Sequence, residues 1–358
     1  MIGIPAKPAA ENPSPRGGGF SITELHAPQV CFTAADGYTV FDMKFQSSVD
    51  RIVGKVTDEE KKLIAREMEK RFLTQYATRN LVERQKSAED LQMIELADSE
   101  TSKVLRHYDE NPFSIPSGNI HFIDSDKWNL REGTAGITRP QYQSILLRDD
   151  RSRSILYAHI FHEMLHFKSH YAVQVPTEEG LEPLEDYRLG LSVHSRNIKK
   201  EYFHNLNEAV TEELTKRYVL TAFNGPMFAK ERDQFVAFRS AQNLKGNDVY
   251  ALRVELDPEQ PAERTRKGLQ RYLVKTKEFE YKEERAILKA LCDNVACANP
   301  QKFSSSDEVL DLFAKAMFSG NILPLGRTID GSFGKGTFRR IGAAGNDNDR
   351  LRRIVLSL

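Results

Sequence analysis

The sequence predicts an α+β fold in which a small mixed or antiparallel sheet covers a central helix and a mainly helical part follows. Strand patterns occur at NIHFID (119–124) and at SILL (144–147). A single helical stripe comes next, with apolar residues at spacings of four, four, three and four: Leu156, Ile160, Met164, Phe167 and Tyr171. Beyond residue 223 the recognisable patterns are mostly helical. These three observations together predict the fold class.

Composition excludes several classes of protein. The chain has 358 residues, of which 40% are hydrophobic and 28% charged, as is typical of a globular protein. Its 51 Lys and Arg residues balance 51 Asp and Glu residues, so no net charge favours nucleic acid as a partner. Three cysteines, Cys31, Cys292 and Cys297, do not make an even disulfide framework.

The start of the chain and its apolar runs bear on localisation. Residues 1–20 contain four prolines and no apolar run of signal-peptide length, so we expect a disordered tail. No stretch approaches the roughly 18 apolar residues that a membrane span requires. The sequence therefore predicts a cytoplasmic protein without a membrane span, although export by a route that uses no cleaved signal stays open.

Five segments are expected along the chain. After the tail, residues 21–118 contain a hairpin pattern at about 30–41 and two helices, at 57–79 and about 88–107. The catalytic core is predicted at 119–223, a helical subdomain at 224–322 and an irregular segment at 323–358.

Capping residues and regular spacing define the flanking helices. Thr57 and Glu60 form a capping box before apolar residues at spacings of four, namely Ile64, Met68, Phe72 and Tyr76. The helix predicted at 207–223 ends before an Asn-Gly-Pro sequence. YKEERAILKALCDNV begins a further helix, and Ser305 with Glu308 caps one that Gly320 can terminate.

The sequence HEMLH at 162–166 contains the residue types of a metal site. On a helix His162 and His166 face the same side one turn apart, so both imidazoles can bind one cation. Glu163 lies about 100 degrees round from His162, where it can accept a proton more readily than it can bind the metal. Two neutral imidazoles with an adjacent carboxylate predict a zinc site with Glu163 as the catalytic base. The alternative is one polar helix that is rich in histidine.

A hydrolytic zinc site needs a third ligand. Ser169 and Ala172 occupy the positions where the metzincin pattern requires Gly and His, and His170 cannot converge on the same ion from a straight helix. Glu208 is the better candidate, because Glu212 follows four residues later on the same face and can orient a ligating histidine. The alternative is that 207–213 is a solvated acidic helix start.

The two motifs, HEMLH at 162–166 and NEAVTE at 207–212, resemble those of the gluzincin metallopeptidases, which are thermolysin-like in the wide sense. The resemblance covers about 119–223 and implies a zincin-like core with Zn²⁺ as the cofactor. It implies that His162, His166 and Glu208 are the zinc ligands, with Glu163 as the base and Glu212 as a carboxylate supporting a ligand. The 41 residues between His166 and Glu208 exceed the spacing of the thermolysin prototype.

An enzyme of this class also needs a donor for the developing oxyanion. Tyr187, His194, Tyr202 and Tyr281 are candidates, and Tyr281 is preferred because it precedes a helix that follows the two motifs. His159, one turn before His162, is open to two interpretations, as a pocket residue or as a packing residue.

The predicted function is a zinc-dependent peptidase, an endopeptidase in preference to an exopeptidase, acting on a peptide or protein. The substrate chain is expected to lie along an edge strand near 142–148. One alternative is a selective effector- or toxin-type protease that cleaves one partner protein. The other is a non-catalytic binding module of the same fold, against which the presence of Glu163 argues.

Overall fold

The structure is a computed structural model that describes 51–53, 57–79, 83–108, 110–125, 127–128, 134–149, 152–174, 185–195, 200–256 and 272–358. The expected disordered tail, the hairpin predicted at about 30–41 and Cys31 lie outside these residues.

Helices and short strands alternate through the described residues, and the predicted α+β class is confirmed. The helices are α1 (Asp58–Arg79), α2 (Ala88–His107), α3 (Arg153–Lys168), α4 (His204–Ala222), α5 (Ala229–Ala241), α6 (Lys282–Ala298), α7 (Ser306–Ser319), α8 (Leu323–Phe333), α9 (Thr337–Gly342) and α10 (Asn348–Leu356). The strands are β1 (Arg51–Val53), β2 (Ile120–Ile123), β3 (Gly136–Arg139), β4 (Ser144–Arg148), β5 (Tyr171–Gln174), β6 (Glu185–Leu189), β7 (Ser192–His194), β8 (Glu201–Tyr202), β9 (Val249–Leu256) and β10 (Tyr272–Glu278).

A three-stranded mixed sheet lies beside α3. In this sheet β4 is central, with β2 parallel on one side and β3 antiparallel on the other. The expectation that the segment near 142–148 forms a sheet edge is therefore wrong for β4. Among the described residues β2 and β3 are the edge strands, and β3 is the one that packs against α3. The different burial of β3 and β4 gives the physical reason. The apolar run of β4 is almost wholly buried, whereas every residue of β3 is partly exposed.

Helix α3 is the centre of the molecule. The side chain of Ser152 caps its start by accepting from the backbone N–H of Ile155, and every residue from 154 to 168 is buried. It packs against α2, α4 and the edge strand β3. The helix ends at Lys168, so the predicted extension of its stripe to Tyr171 is wrong. Tyr171 instead begins β5, and its hydroxyl donates to Asp186 at 2.5 Å.

A second sheet runs in the order β1-β5-β6-β7-β8. Strands β1 and β5 are parallel and the remaining neighbours are antiparallel. This sheet leads the chain from the end of α3 to the start of α4, which crosses α3. It therefore accounts for much of the long separation between the two sequence motifs.

The predicted helices outside the core are largely confirmed. Helix α2 has the predicted bounds and begins with a capping box between Ser87 and Asp90. Helix α7 begins after Ser305, whose side chain accepts from the backbone N–H of Glu308, and ends at Gly320 with φ +70°. The segment predicted as a helical subdomain also contains the antiparallel hairpin β9–β10. Charged residues on exposed positions hid this strand alternation from the sequence pattern.

The prediction of an irregular segment at 323–358 is wrong, because α8, α9 and α10 occupy most of it. Their apolar faces are buried through Leu325, Ile329, Ile341, Leu351 and Val355. The sequence misleads because its glycines resemble helix breakers. At Gly342 the glycine serves close packing, since a Cβ there would come within 2.3 Å of the Phe203 ring.

Among the residues that the structure describes, no helix combines the length and the apolarity that crossing a bilayer demands.

Candidate metal centre

His162 and His166 face each other across one turn of α3. Their Nε2 atoms are 3.0 Å apart and their rings meet edge to face, with centroids 4.8 Å apart. Both side chains are buried. The predicted pairing of the two imidazoles therefore occurs in the structure.

Helix α4 brings Glu208 to the same point. Its Oε2 lies 3.2 Å from Nε2 of His166 and 3.5 Å from Nε2 of His162. The helix begins at His204, four residues before Glu208, and Glu208 is only 9% exposed. The alternative interpretation, a solvated acidic helix start, is therefore wrong.

The three ligand atoms form a triangle that fits a small divalent cation. Among the described residues, His162, His166 and Glu208 converge so that their ligand atoms all lie within 4.8 Å of one another. In a tetrahedral zinc site with bonds of about 2.0–2.1 Å, any two ligand atoms are about 3.3–3.4 Å apart. The observed separations of 3.0, 3.2 and 3.5 Å bracket this value. Two imidazoles and one carboxylate are also a donor set that zinc accepts.

Glu212 holds the ring of His162 in place, as expected of a carboxylate that supports a ligand. Nδ1 of His162 lies 2.7 Å from Oε2 of Glu212, so its proton is donated there and Nε2 faces the triangle. The other carboxylate oxygen accepts from the backbone N–H of Glu280 at 2.6 Å. Glu212 thus connects α4 to α3 and to the turn that precedes α6.

Asn207 lies beside the other imidazole, a contact for which the sequence analysis assigned no role. Its Oδ1 accepts from the backbone N–H of Leu191 at 2.8 Å, and its Nδ2 lies 3.4 Å from Nδ1 of His166. The available signal was its place directly before Glu208 in the second motif.

Glu163 is held at the edge of the sheet. The hydroxyl of Thr138 on β3 lies 2.8 Å from Oε2 of Glu163 and 2.8 Å from its backbone oxygen. The other carboxylate oxygen lies against Gly136, where a Cβ would approach to 2.7 Å. The sequence analysis missed both contacts, because they join segments that are 25 or more residues apart.

Tyr281 lies over the cluster. It adopts a left-handed conformation with φ +51° directly before α6, and its ring stacks on that of His162 with centroids 5.8 Å apart. Burial raises the pKa of its hydroxyl, and the carboxylates of Glu208 and Glu163 raise it further. The hydroxyl therefore stays protonated at neutral pH and can donate a hydrogen bond.

The other candidate donors are less well placed. His194 lines a cleft beside His166, whereas Tyr187 and Tyr202 are not among the lining residues of the two clefts that adjoin the cluster. The geometry thus favours Tyr281, with His194 second.

The carboxylates around His162 favour a proton on its imidazole. Burial by itself lowers the pKa of His162, but hydrogen bonds to Glu208 and Glu212 outweigh it and raise that pKa well above its usual value. Burial would raise the pKa of Glu208, yet His166 and His162 hold it well below its usual value. A proton on His162 thus lies where a divalent cation can replace it.

Two clefts adjoin the cluster and share Gly136, Glu163 and Tyr281 in their linings. One has a volume of about 440 Å³ and includes Gly136, His159 and Tyr281 among its lining residues. The other has a volume of about 260 Å³ and includes His194 and His204. Each of the two imidazoles therefore borders a cleft, His162 the larger and His166 the smaller.

Comparison with protein-family models, with curated proteins and with solved structures finds no match. The resemblance to the gluzincins therefore depends on the two short motifs.

On the hypothesis from sequence that Glu163 is the base of a zinc peptidase, replacement of Thr138 by Val is expected to lower kcat/KM for peptide hydrolysis about tenfold without changing zinc content. The reason is that a hydrogen bond to a charged group contributes about 1.5–3 kcal/mol, part of which water can replace. Enzyme kinetics with metal analysis checks this result. Thr101→Val is a matched control, because the Thr101 hydroxyl donates to the backbone oxygen of Ala97 in α2. An unchanged kcat/KM in Thr138→Val would contradict a positioning role.

Proposed function

We propose that this protein is a zinc-dependent peptidase in which His162, His166 and Glu208 hold the cation and Glu163 is the general base. The observation that carries the proposal is the triangle of three buried ligand atoms with a separately anchored carboxylate at its side. A purely structural cluster has no need for the additional carboxylate of Glu163. The mixed sheet beside α3 is compatible with the zincin-like core that the motif resemblance implies.

Each side chain then has a defined part in hydrolysis. Zinc bound at the cluster would polarise a peptide carbonyl and lower the pKa of a water molecule. Glu163 accepts the proton of the attacking water and passes it to the nitrogen of the leaving amine. Thr138 fixes the direction of the Glu163 carboxylate during both transfers. The hydroxyl of Tyr281 donates to the carbonyl oxygen as that atom gains negative charge.

Strand β3 is the surface on which we place the substrate backbone. It is a terminal strand of its sheet, so its outer N–H and C=O groups face away from β4. Gly136 and Thr138 of this strand both contact Glu163. A peptide that adds to β3 as a further strand would therefore pass directly beside the proposed base.

Cleavage within a chain fits the site better than removal of a terminal residue. An exopeptidase must block one direction with a group that binds the substrate terminus. Here two clefts, of about 440 and 260 Å³, adjoin the cluster, so a substrate has space beyond a single terminal residue. The proposal is therefore an endopeptidase.

The test is hydrolysis of a peptide library by the metal-stripped protein before and after addition of one equivalent of zinc. We expect cleavage only with zinc, and its loss when a chelator removes the metal. Mass spectrometry of the products also separates internal from terminal cleavage. Tight zinc uptake without any cleavage would contradict the proposal and favour the binding module. Cleavage of a single sequence among many would favour the selective protease.

A further inference from the structure

The larger cleft contains a histidine that the proposed chemistry does not use. His159 lies on α3 three residues before His162 and is 9% exposed. Within the described part of the chain, neither of its ring nitrogens has a hydrogen-bond partner. It nevertheless lines the cleft together with Gly136, Glu163 and Tyr281.

An unsatisfied buried imidazole is an unfavourable choice for packing alone. An apolar side chain of similar size would fill the same space without the cost of two unpaired polar atoms. Burial, together with the nearby side chains of Lys277, His162 and Arg253, holds the pKa of His159 well below its usual value. The ring is therefore neutral at pH 7 and offers one donor and one acceptor. A side chain of the substrate can supply the missing hydrogen-bond partner.

The charged groups around the cleft do not favour a charged ligand. Glu280 pairs with Lys277, and Glu283 pairs with Arg352. Glu284 accepts from the side-chain amide of Asn348 at 2.6 Å. Lys282, which also lines the cleft, pairs with Glu278 at 3.4 Å. Since these charged groups have partners, the cleft does not select for a charged side chain.

The position of the cleft relates it to one side of the substrate. Thr134, Ala135 and Gly136, at the start of the edge strand, line the cleft along with His162. A peptide paired with β3 and with its carbonyl at the metal centre would project one side chain towards His159. The volume of about 440 Å³ is sufficient for a side chain of any natural residue.

We propose, on the basis of the proposed peptidase function, that this cleft is a specificity subsite for an uncharged hydrogen-bonding side chain such as Asn, Gln, Ser or Thr. His159 is the residue that recognises it. The side chain of the substrate satisfies the imidazole, while an apolar side chain of the same shape leaves it unpaired.

The test uses two hydroxamate ligands of the zinc-loaded protein that differ only in the side chain next to the hydroxamate group. One carries the carboxamide of Asn and the other the isobutyl group of Leu, which have nearly the same shape. Calorimetry gives the Kd of each for the wild type, His159→Leu and His159→Gln, after metal analysis has shown equal zinc content.

We expect the wild type to bind the Asn-type ligand about tenfold more tightly than the Leu-type ligand, the size of effect that one buried hydrogen bond supplies. His159→Leu should reverse the preference, and His159→Gln should retain it because an amide also has a donor and an acceptor. Equal affinities in the wild type, or a preference that His159→Leu does not change, would overturn the subsite.

The outcome also separates the subsite from the catalytic proposal. A preference that depends on His159, in a protein that cleaves no peptide, would support the subsite and contradict the peptidase function. Absence of zinc-dependent binding of both ligands to the wild type would overturn the metal centre and the subsite together.

Discussion

Glu163→Gln is expected to lower peptide hydrolysis by about 10²- to 10⁴-fold, the range that general-base catalysis contributes, while zinc binding is retained. The amide has the shape of the carboxylate and can still accept the hydroxyl of Thr138, but it cannot accept the proton of the attacking water. The ligand atoms of His162, His166 and Glu208 are unaffected. The measurement is kcat/KM on a cleaved peptide, with zinc content determined on the same preparation.

A matched control is Glu213→Gln, the same chemical change on α4. Glu213 pairs with Arg285, which also contacts Asp248, so this variant alters an ion pair away from the ligand atoms. Its activity should stay close to that of the wild type. Retention of full hydrolysis by Glu163→Gln would show that Glu163 is not the base, even if zinc is essential.

The histidine pair could be predicted from sequence because its geometry is local. A spacing of four residues on a helix fixes His162 and His166 on one face whatever surrounds them. Glu208 and Glu212 were predicted as a pair for the same reason. What brings them to the histidines is the crossing of α4 over α3, which the sequence indicates only through the motif resemblance.

The edge strand shows where local patterns fail. Residues 136–139 are all partly exposed and form no apolar alternation, so the segment of β4, with its apolar run at 145–147, was predicted as the edge in their place. The contact between Thr138 and Glu163 depends on the packing of β3 on α3 and has no signature within either segment. His159 is similar, because whether its imidazole has a partner is decided by residues from distant parts of the chain.

Glu208→Ala is expected to weaken zinc binding by more than about 100-fold, since loss of a carboxylate that only supports a ligand already costs about 10- to 100-fold. The substitution removes one of three protein ligands and leaves two imidazoles, which hold zinc weakly. Competition with a chromophoric chelator measures the affinity. Glu213→Ala on the same helix is the control and should bind zinc as the wild type does.

Comparison with His166→Ala makes this prediction specific to the third ligand. If His162, His166 and Glu208 share one ion, the His166 and Glu208 variants should lose affinity to a similar degree. The wild type should also gain thermal stability on zinc addition, because a ligand that binds only the folded state stabilises it, and both variants should lose this gain. If His166→Ala loses zinc and Glu208→Ala keeps it, the two histidines of α3 are still ligands but Glu208 is not. That result would show that Glu208, which the gluzincin resemblance assigns as the third ligand, does not bind the ion. The third ligand would then be a residue outside the second motif.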